Sequence, residues 1–262
     1  MSPGATAPTA EGILRAAAEW AWFPRGSEHE VSELQLVRYP ARFGGGVRAS
    51  RVASDLDAPA VLDHAIERTR EWGETRLTFW TNAADSPDLE AELVARGAEH
   101  VDTVAVLARS VDGISIEVPE GISAEVIRTL DHVREMDAVD VAVWQEQQPL
   151  SPEQLTQELA EIESANASGE GIRVLARIDG VAVSTGGCTI VGEFARLWGG
   201  GTVPEARGRG AYLAVLAERL RCASVLGATT ALVKGRVSTS APILTRAGFV
   251  HYGDERGYTL NV

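Results

Sequence analysis

Apolar residues recur along this chain with two different periods, and the alternation of these periods predicts a mixed α/β protein. Short runs rich in Val, Ile, Leu and Thr predict strands. The predicted strands are 34–38, 47–52, 76–81, 101–108, 124–130, 172–178, 181–190, 194–203, 229–234, and a final pair, 249–253 and 257–262. Stretches in which apolar residues recur every three or four positions predict helices. The predicted helices are 10–21, 57–72, 86–96, 131–143, 152–166, 210–226 and 239–247.

Cap and turn residues support several of these boundaries. Asp57 stands where it can cap the second predicted helix, and Ser151 and Gln154 have the spacing of a capping box before the fifth. Asp179-Gly180, between two predicted strands, is the strongest hairpin signal in the chain.

The chain also repeats one succession of a helix, a strand and a second helix. The second helix ends in a similar way in both copies, at Leu93–Gly97 and at Leu244–Gly248. We therefore predict two related halves: an N-terminal domain over 1–111, a connector over 112–121 and a C-terminal domain over 122–262.

One stretch of the C-terminal half has the pattern of an anion-binding site. The predicted strand 194–203 leads into a turn that contains Gly208 and Gly210, and a helix follows. Free backbone N–H groups and the positive end of a helix dipole meet at such a turn. Arg207 and Arg209 add positive charge. The pattern predicts a phosphate site.

The corresponding stretch of the N-terminal half, 53–59, contains no glycine and two acidic residues, so we expect only one such site per chain. Other phosphate motifs fit less well. The third glycine of a dinucleotide fingerprint is missing, and the chain has no Gly-Lys-Ser/Thr sequence.

Charge and composition narrow the choice of partners. The chain has 24 Lys+Arg against 37 Asp+Glu, a net charge of −13. This balance disfavours nucleic acid and anionic membranes as partners. It is explained either by the solubility of a cytoplasmic protein or by attraction of a cationic amine.

Neither a metal site nor an export signal is expected. Cys188 and Cys222 stand in apolar surroundings and are predicted to fill the core, and the five histidines are scattered. The first eleven residues carry no Lys or Arg, and the apolar run near 16–23 is short and contains Glu19, so we expect a cytoplasmic protein.

The strand, the sequence Val203–Tyr212, the helix after it and the later Gly248-Phe249 together resemble the GNAT superfamily of acyl-CoA-dependent N-acyltransferases. The resemblance covers roughly 122–262. The family fingerprint is Arg or Gln, two residues, Gly, one residue, then Gly or Ala; Arg207 and Gly210 match it, and Tyr212 departs from it. The resemblance implies an α/β fold of two GNAT-like mixed-sheet halves. The first copy would be degenerate, and the second would be a complete GNAT domain with a splayed central sheet.

The resemblance further implies acetyl-CoA as co-substrate, with no metal, and direct acyl transfer in a ternary complex. The amides of the turn would hold the pyrophosphate, and the end of the strand would pair with the pantetheine arm. The implied cofactor-binding residues are Gly201, Thr202, Val203, Arg207, Gly208, Arg209, Gly210, Ala211, Tyr212 and Ser238.

The catalytic groups are less clearly indicated. The family often has a tyrosine acid where this chain has Leu244. Glu193 and Glu146 are the candidate bases, although both also fit solvated surface acids. Trp144, Trp198 and Leu244 are the candidate walls of the acceptor pocket; Trp144 also fits a core residue and Trp198 a packing residue.

The expected function is N-acetylation of an amine, with a small molecule as acceptor and a monomer or homodimer as the assembly. The alternatives are a catalytically silent acyl-CoA-binding protein and an acyltransferase that uses a longer acyl-CoA.

Overall fold

The computed structural model of the protein describes residues 8–51, 56–82, 85, 87–113, 116–144 and 147–262. Its helices are α1 (Ala10–Ala18), α2 (Ala58–Glu71), α3 (Pro87–Ala95), α4 (Leu130–Val143), α5 (Pro152–Ser168), α6 (Ala211–Val225) and α7 (Ser240–Arg246). Its strands are β1 (Glu28–Val31), β2 (Leu34–Arg38), β3 (Val47–Arg51), β4 (Arg76–Thr81), β5 (Glu99–Ser110), β6 (Ile122–Val126), β7 (Gly171–Ile178), β8 (Val181–Val191), β9 (Phe194–Thr202), β10 (Thr230–Arg236) and β11 (Val250–Asn261). This is the mixed α/β fold expected from the sequence.

The chain forms two compact units. The C-terminal unit contains Ala108–Val233 and Ala247–Val250, and the N-terminal unit contains Thr9–Leu107, Lys234–Arg246 and His251–Val262. No helix in the described part of the chain is long and apolar enough to cross a membrane.

The C-terminal unit has the strand order β6-β7-β8-β9-β10. The pairs from β6 to β9 are antiparallel, whereas β9 and β10 are parallel because α6 carries the chain from one to the other. Met136 on α4, Ile162 on α5 and Leu175 on β7 belong to one buried apolar cluster, which Val203 and Ala211 extend to the start of α6. The apolar faces of α4 and α5 thus form a core with the sheet.

The N-terminal unit has the strand order β1-β2-β3-β4-β11-β5. Here β3 and β4 are the parallel pair, and α2 connects them. Leu36, Leu62, Phe79 and Leu93 lie in its buried core. Both units therefore contain an antiparallel strand pair followed by a helix and a parallel strand.

The C-terminal end of the chain differs from the prediction. The predicted pair of separate strands, 249–253 and 257–262, is wrong, because β11 is one continuous strand whose last six residues pair antiparallel with β4. Gly257 does not form a turn. It allows the Trp80 ring to lie close to the main chain of β11, because a Cβ atom on Gly257 would lie 3.1 Å from that ring. The compact units consequently differ from the predicted boundaries at 1–111 and 122–262, since β11 belongs mainly to the N-terminal unit.

The local turn and cap predictions are confirmed. The Asp57 side chain accepts a hydrogen bond from the Ala60 amide at 2.9 Å, and Ser151 forms the capping box of α5. Asp179 and Gly180 have φ angles of 51° and 81°, which is typical of a two-residue hairpin turn.

Candidate functional site

The glycine loop, which we define as Val203–Tyr212, joins the end of β9 to the start of α6. Its first residue is fixed to the sheet, because the Val203 amide donates to the Val183 carbonyl at 2.9 Å. A 3₁₀ turn follows at Pro204–Ala206, and Arg207 Nε donates to the Thr202 carbonyl at 3.2 Å. The first half of the loop is therefore anchored to the sheet.

The second half of the loop carries free backbone donors. In the part of the chain that the structure describes, the amides of Gly208–Tyr212 donate no backbone hydrogen bond, and the helical ladder begins with Ala214 donating to Gly210 at 3.1 Å. No side chain in the described ranges caps the start of α6. The matching helix α2 is different, because the Asp57 carboxylate occupies its N-terminus. An anion can thus bind at α6 without displacing an existing acceptor.

The two glycines of the loop have different roles. Gly208 has a φ of 76°, and a Cβ atom there would meet nothing within 4 Å. Gly210 has a φ of 98°, and a Cβ atom there would lie 2.7 Å from the Pro119 side chain. Gly210 is therefore required by packing, whereas Gly208 borders open space.

The charge around the loop is mixed. Arg207 and Arg209 are exposed, as is Glu205. Arg209 Nη2 lies 3.7 Å from the Asp179 carboxylate on an exposed surface. The two arginines thus remain accessible to a ligand with two phosphate groups, which suits the row of free amides.

The glycine-rich end of β9 contains an irregularity. The register with β8 shifts between Thr185 and Gly187, which pair with Gly201 and Trp198. Gly199, with a φ of 59°, lies in the resulting bulge. In the described residues the parallel register with β10 reaches only to Leu197 of β9. The main chain beyond Leu197 is therefore paired on the β8 side only.

Neighbouring side chains explain why these positions are glycines. A Cβ atom on Gly187 would lie 2.5 Å from the Trp198 ring, and one on Gly200 would lie 2.9 Å from the Tyr212 ring. A Cβ atom on Gly201 would lie 2.6 Å from Val143 of α4. The glycines thus allow large side chains to lie close against the strand.

A buried ion pair lies beside Trp198. Arg173 of β7 donates to the Asp140 carboxylate of α4 at 2.9 Å, and its guanidinium lies 4.8 Å from the centre of the Trp198 ring. Burial raises the pKa of Asp140, and the neighbouring Arg173 opposes that shift. The Trp198 indole donates to Thr189 Oγ1 at 2.9 Å, so the ring is held at both ends.

Arg219 of α6 is a second buried cation, at 1% exposure. Its Nη1 donates to the carbonyls of Gly187 and Trp198 at 3.3 and 3.4 Å. Its Nε and Nη2 atoms are buried without a hydrogen-bond partner, and among the described residues no carboxylate forms an ion pair with it. Burial lowers the pKa of the Arg219 guanidinium, and the Tyr212 hydroxyl opposes that shift.

Several of the predicted site residues come together in the C-terminal unit. One continuous segment, from the end of β9 to the start of α6, contains the predicted residues Gly201, Thr202, Val203, Arg207, Gly208, Arg209, Gly210, Ala211 and Tyr212. Trp198 lies earlier in β9. Ser184 links this segment to β8 by donating to the Gly201 carbonyl at 2.7 Å and contacting Thr202 Oγ1 at 2.9 Å.

The other predicted residues are not part of this continuous segment. Trp144 follows α4 and is 36% exposed, and Glu193 is exposed in the β8–β9 turn, about 26 Å along β9 from Gly201. Glu146 lies outside the described residues. Ser238 and Leu244 belong to the N-terminal unit, where Ser238 is exposed and Leu244 is fully buried.

The sequence patterns did not predict that the charged residues Asp140, Arg173 and Arg219 are buried. Two of them had a detectable signal. Arg173 interrupts the apolar run of β7. Arg219 follows Val215 by four positions and therefore lies on the same face of its helix. Both arginines thus stand where an apolar residue is expected. A charged residue at an apolar position indicates a buried partner or a functional role.

Neither cysteine is set up as a nucleophile. Cys188 is buried, and burial raises the pKa of its thiol to about 12. Burial also raises the pKa of Cys222 to about 11. Since the thiolate is the reactive form, both side chains are inert near neutral pH.

The fold is similar to that of solved GCN5-related N-acetyltransferase structures. The one from Kribbella flavida has a TM-score of 0.65 and 22% identity, with 90% of each chain covered. The one from Sphaerobacter thermophilus has a TM-score of 0.64 and 18% identity, with 87% of this chain and 80% of that chain covered. A tandem GNAT protein from the clavulanic acid biosynthesis pathway has a TM-score of 0.60 and 15% identity, with 95% of this chain and 87% of that chain covered. At these identities the similarity establishes the fold. No family model matches the chain, and no curated protein matches its sequence.

Proposed function

We propose that this protein is an acyl-CoA-dependent N-acetyltransferase that transfers the acetyl group of acetyl-CoA to the amine of a small molecule. The observation that carries the proposal is the row of free amides at Gly208–Tyr212, at the start of an uncapped helix in a GNAT-like fold. These donors suit the pyrophosphate of coenzyme A, and Arg207 and Arg209 supply positive charge beside them.

The chain's own groups would divide the work as follows. The loop amides bind the pyrophosphate, and the main chain of Gly201–Val203 aligns the pantetheine arm. Acetyl-CoA supplies an activated acyl group. Because both cysteines are held as neutral thiols, we propose that the amine attacks the acyl carbon directly, without an acyl-enzyme.

We further propose a tandem arrangement with one acyl-CoA site per chain. Both units repeat the order of an antiparallel strand pair, a helix and a parallel strand. Of the two connecting helices, α2 is capped by Asp57, whereas α6 has an uncapped start. The N-terminal unit is thereby assigned a structural role.

The proposed acceptor is a small cationic amine. The net charge of −13 favours the approach of a cation. Val143 of α4 borders Gly201 of β9, where we propose that the pantetheine arm lies. We therefore place the acceptor pocket on the α4 side of β9.

The experiment is a thiol-release assay with acetyl-CoA and a panel of amines, including polyamines, aminoglycosides and amino-acid amides. We expect release that depends on one class of amine and saturates with its concentration. A parallel series with longer acyl-CoA thioesters tests the preference for acetyl.

A second candidate is a silent acyl-CoA-binding protein, which the burial of Leu244 favours because that position offers no acid. Calorimetric binding of acetyl-CoA without release by any amine would support the silent protein. The absence of binding would refute both functions.

A further inference from the structure

Tyr212 and Arg219 form a pair on the α6 side of the β9 bulge. Both lie on α6, seven residues apart, so they lie on the same face of the helix. The Arg219 guanidinium lies 5.9 Å from the centre of the Tyr212 ring, and the ring borders Gly200. Tyr212 is half-buried, whereas Arg219 has almost no exposed surface.

Arg219 is poorly paired for a structural cation. Among the described residues it makes two hydrogen bonds, which are long at 3.3 and 3.4 Å, and two of its nitrogen atoms have no partner there. Burying a donor without a hydrogen-bond partner is unfavourable. A hydrophobic side chain of similar volume would avoid this cost. A buried cation with so few partners is therefore expected where its positive charge is used in function.

We propose that the Tyr212 hydroxyl, positioned by Arg219, is the proton donor to the sulfur that leaves during acyl transfer. This inference rests on the proposed function. The amine nitrogen forms a bond to the acyl carbon as the carbon–sulfur bond breaks. The sulfur takes the Tyr212 proton, the nitrogen releases its proton to water, and solvent reprotonates the phenolate.

The position of Tyr212 suits this role better than that of its neighbours. It belongs to the glycine loop, and its ring lies against Gly200, where β9 is no longer paired with β10. The hydroxyls of Ser184 and Thr202 contact each other instead. Arg219 would stabilise the negative charge that the phenol acquires on donating its proton.

The first test measures contact without catalysis. Tyrosines are labelled with ¹³C at Cζ, and the Tyr212 signal is identified among the four tyrosines by its loss in Tyr212→Phe. We expect this signal to shift with coenzyme A and to shift much less with desulfo-coenzyme A, which lacks the sulfur. Equal shifts with both, or no shift when calorimetry shows binding, would overturn the inference but leave the proposed function standing. If no coenzyme A binds, the proposed function fails, and the inference fails with it.

The second test measures the rate. We expect Tyr212→Phe to lower kcat about 100-fold with an unchanged KM for acetyl-CoA, because general acid catalysis contributes about 10²–10⁴-fold. Tyr252→Phe, at another half-buried tyrosine, is the matched control and should retain full kcat. Arg219→Met should lose kcat, and Arg219→Lys should recover part of it because the charge is retained. A kcat for Tyr212→Phe within threefold of the wild type would refute the role of Tyr212 as the proton donor.

Discussion

Replacing Gly208 with glutamate places a negative charge in the glycine loop and leaves its packing intact. A Cβ atom at this position would meet nothing within 4 Å, so the cost in the folded state is the strain of a φ of 76°. That strain is about 1–2 kcal/mol. The corresponding change at Gly210 would be ambiguous, since a Cβ atom there would lie 2.7 Å from Pro119.

The effect on binding follows from charge. At an effective dielectric constant of about 20, two like charges about 6 Å apart repel by about 3 kcal/mol. If the pyrophosphate binds at the free amides of Gly208–Tyr212, Gly208→Glu should weaken acetyl-CoA binding about 100-fold. Gly208→Gln carries the same backbone strain without the charge, and its affinity should stay within about tenfold of the wild type.

Isothermal titration calorimetry with acetyl-CoA measures the effect. Gly192→Glu is the matched control, because Gly192 also has a positive φ, at 57°, and open space around its Cβ position, but it lies in the β8–β9 turn. We expect this control to bind normally. Equal affinities for Gly208→Glu and Gly208→Gln would refute the placement of the pyrophosphate at the loop.

Three further changes test charged side chains that form ion pairs. Asp140→Ala leaves Arg173 buried without its partner carboxylate and should lower the free energy of unfolding, measured in urea, by about 3–5 kcal/mol. The double variant Asp140→Leu/Arg173→Met should recover most of that lost stability. A double variant as unstable as Asp140→Ala would contradict the ion-pair argument. Lys234→Met removes the cation that lies 2.8 Å from the buried Glu255 carboxylate, and it should lower the free energy of unfolding by about as much as Asp140→Ala. A loss below about 1 kcal/mol would contradict this expectation. Burial alone would raise the pKa of Glu90, but hydrogen bonds from a threonine, an arginine and a tyrosine outweigh it, so the pKa lies below 4.5. The stability that Glu90 contributes is therefore present above about pH 4.5 and is lost as the pH falls through its lower pKa in the folded state. The free energies of unfolding of the wild type and Glu90→Gln should consequently become more similar on acidification. A difference that does not change with pH would contradict this expectation.

The elements that the sequence predicted well depend on local signals. The glycines of the loop, the capping box at Ser151 and the Asp179-Gly180 turn each determine the conformation of a few adjacent residues, and the structure contains all of these features. The succession of strand, loop and helix around Gly210 follows from the same kind of signal.

The features that sequence reading missed depend on contacts between distant residues. β11 pairs with β4, which precedes it by more than 170 residues, and nothing in its own pattern distinguishes this pairing from a hairpin. The orphaned nitrogens of Arg219 become visible only when the strands and α6 are packed together. Periodicity likewise could not place Glu193 relative to the loop, because the distance depends on how far β9 extends.

A crystal structure of the protein with coenzyme A would show directly where the cofactor binds. We expect pyrophosphate oxygens within hydrogen-bond distance, about 2.7–3.2 Å, of the amides of Gly208–Tyr212, with the pantetheine arm along Gly201–Val203. A nucleotide bound at another surface, with the loop amides facing solvent, would contradict it.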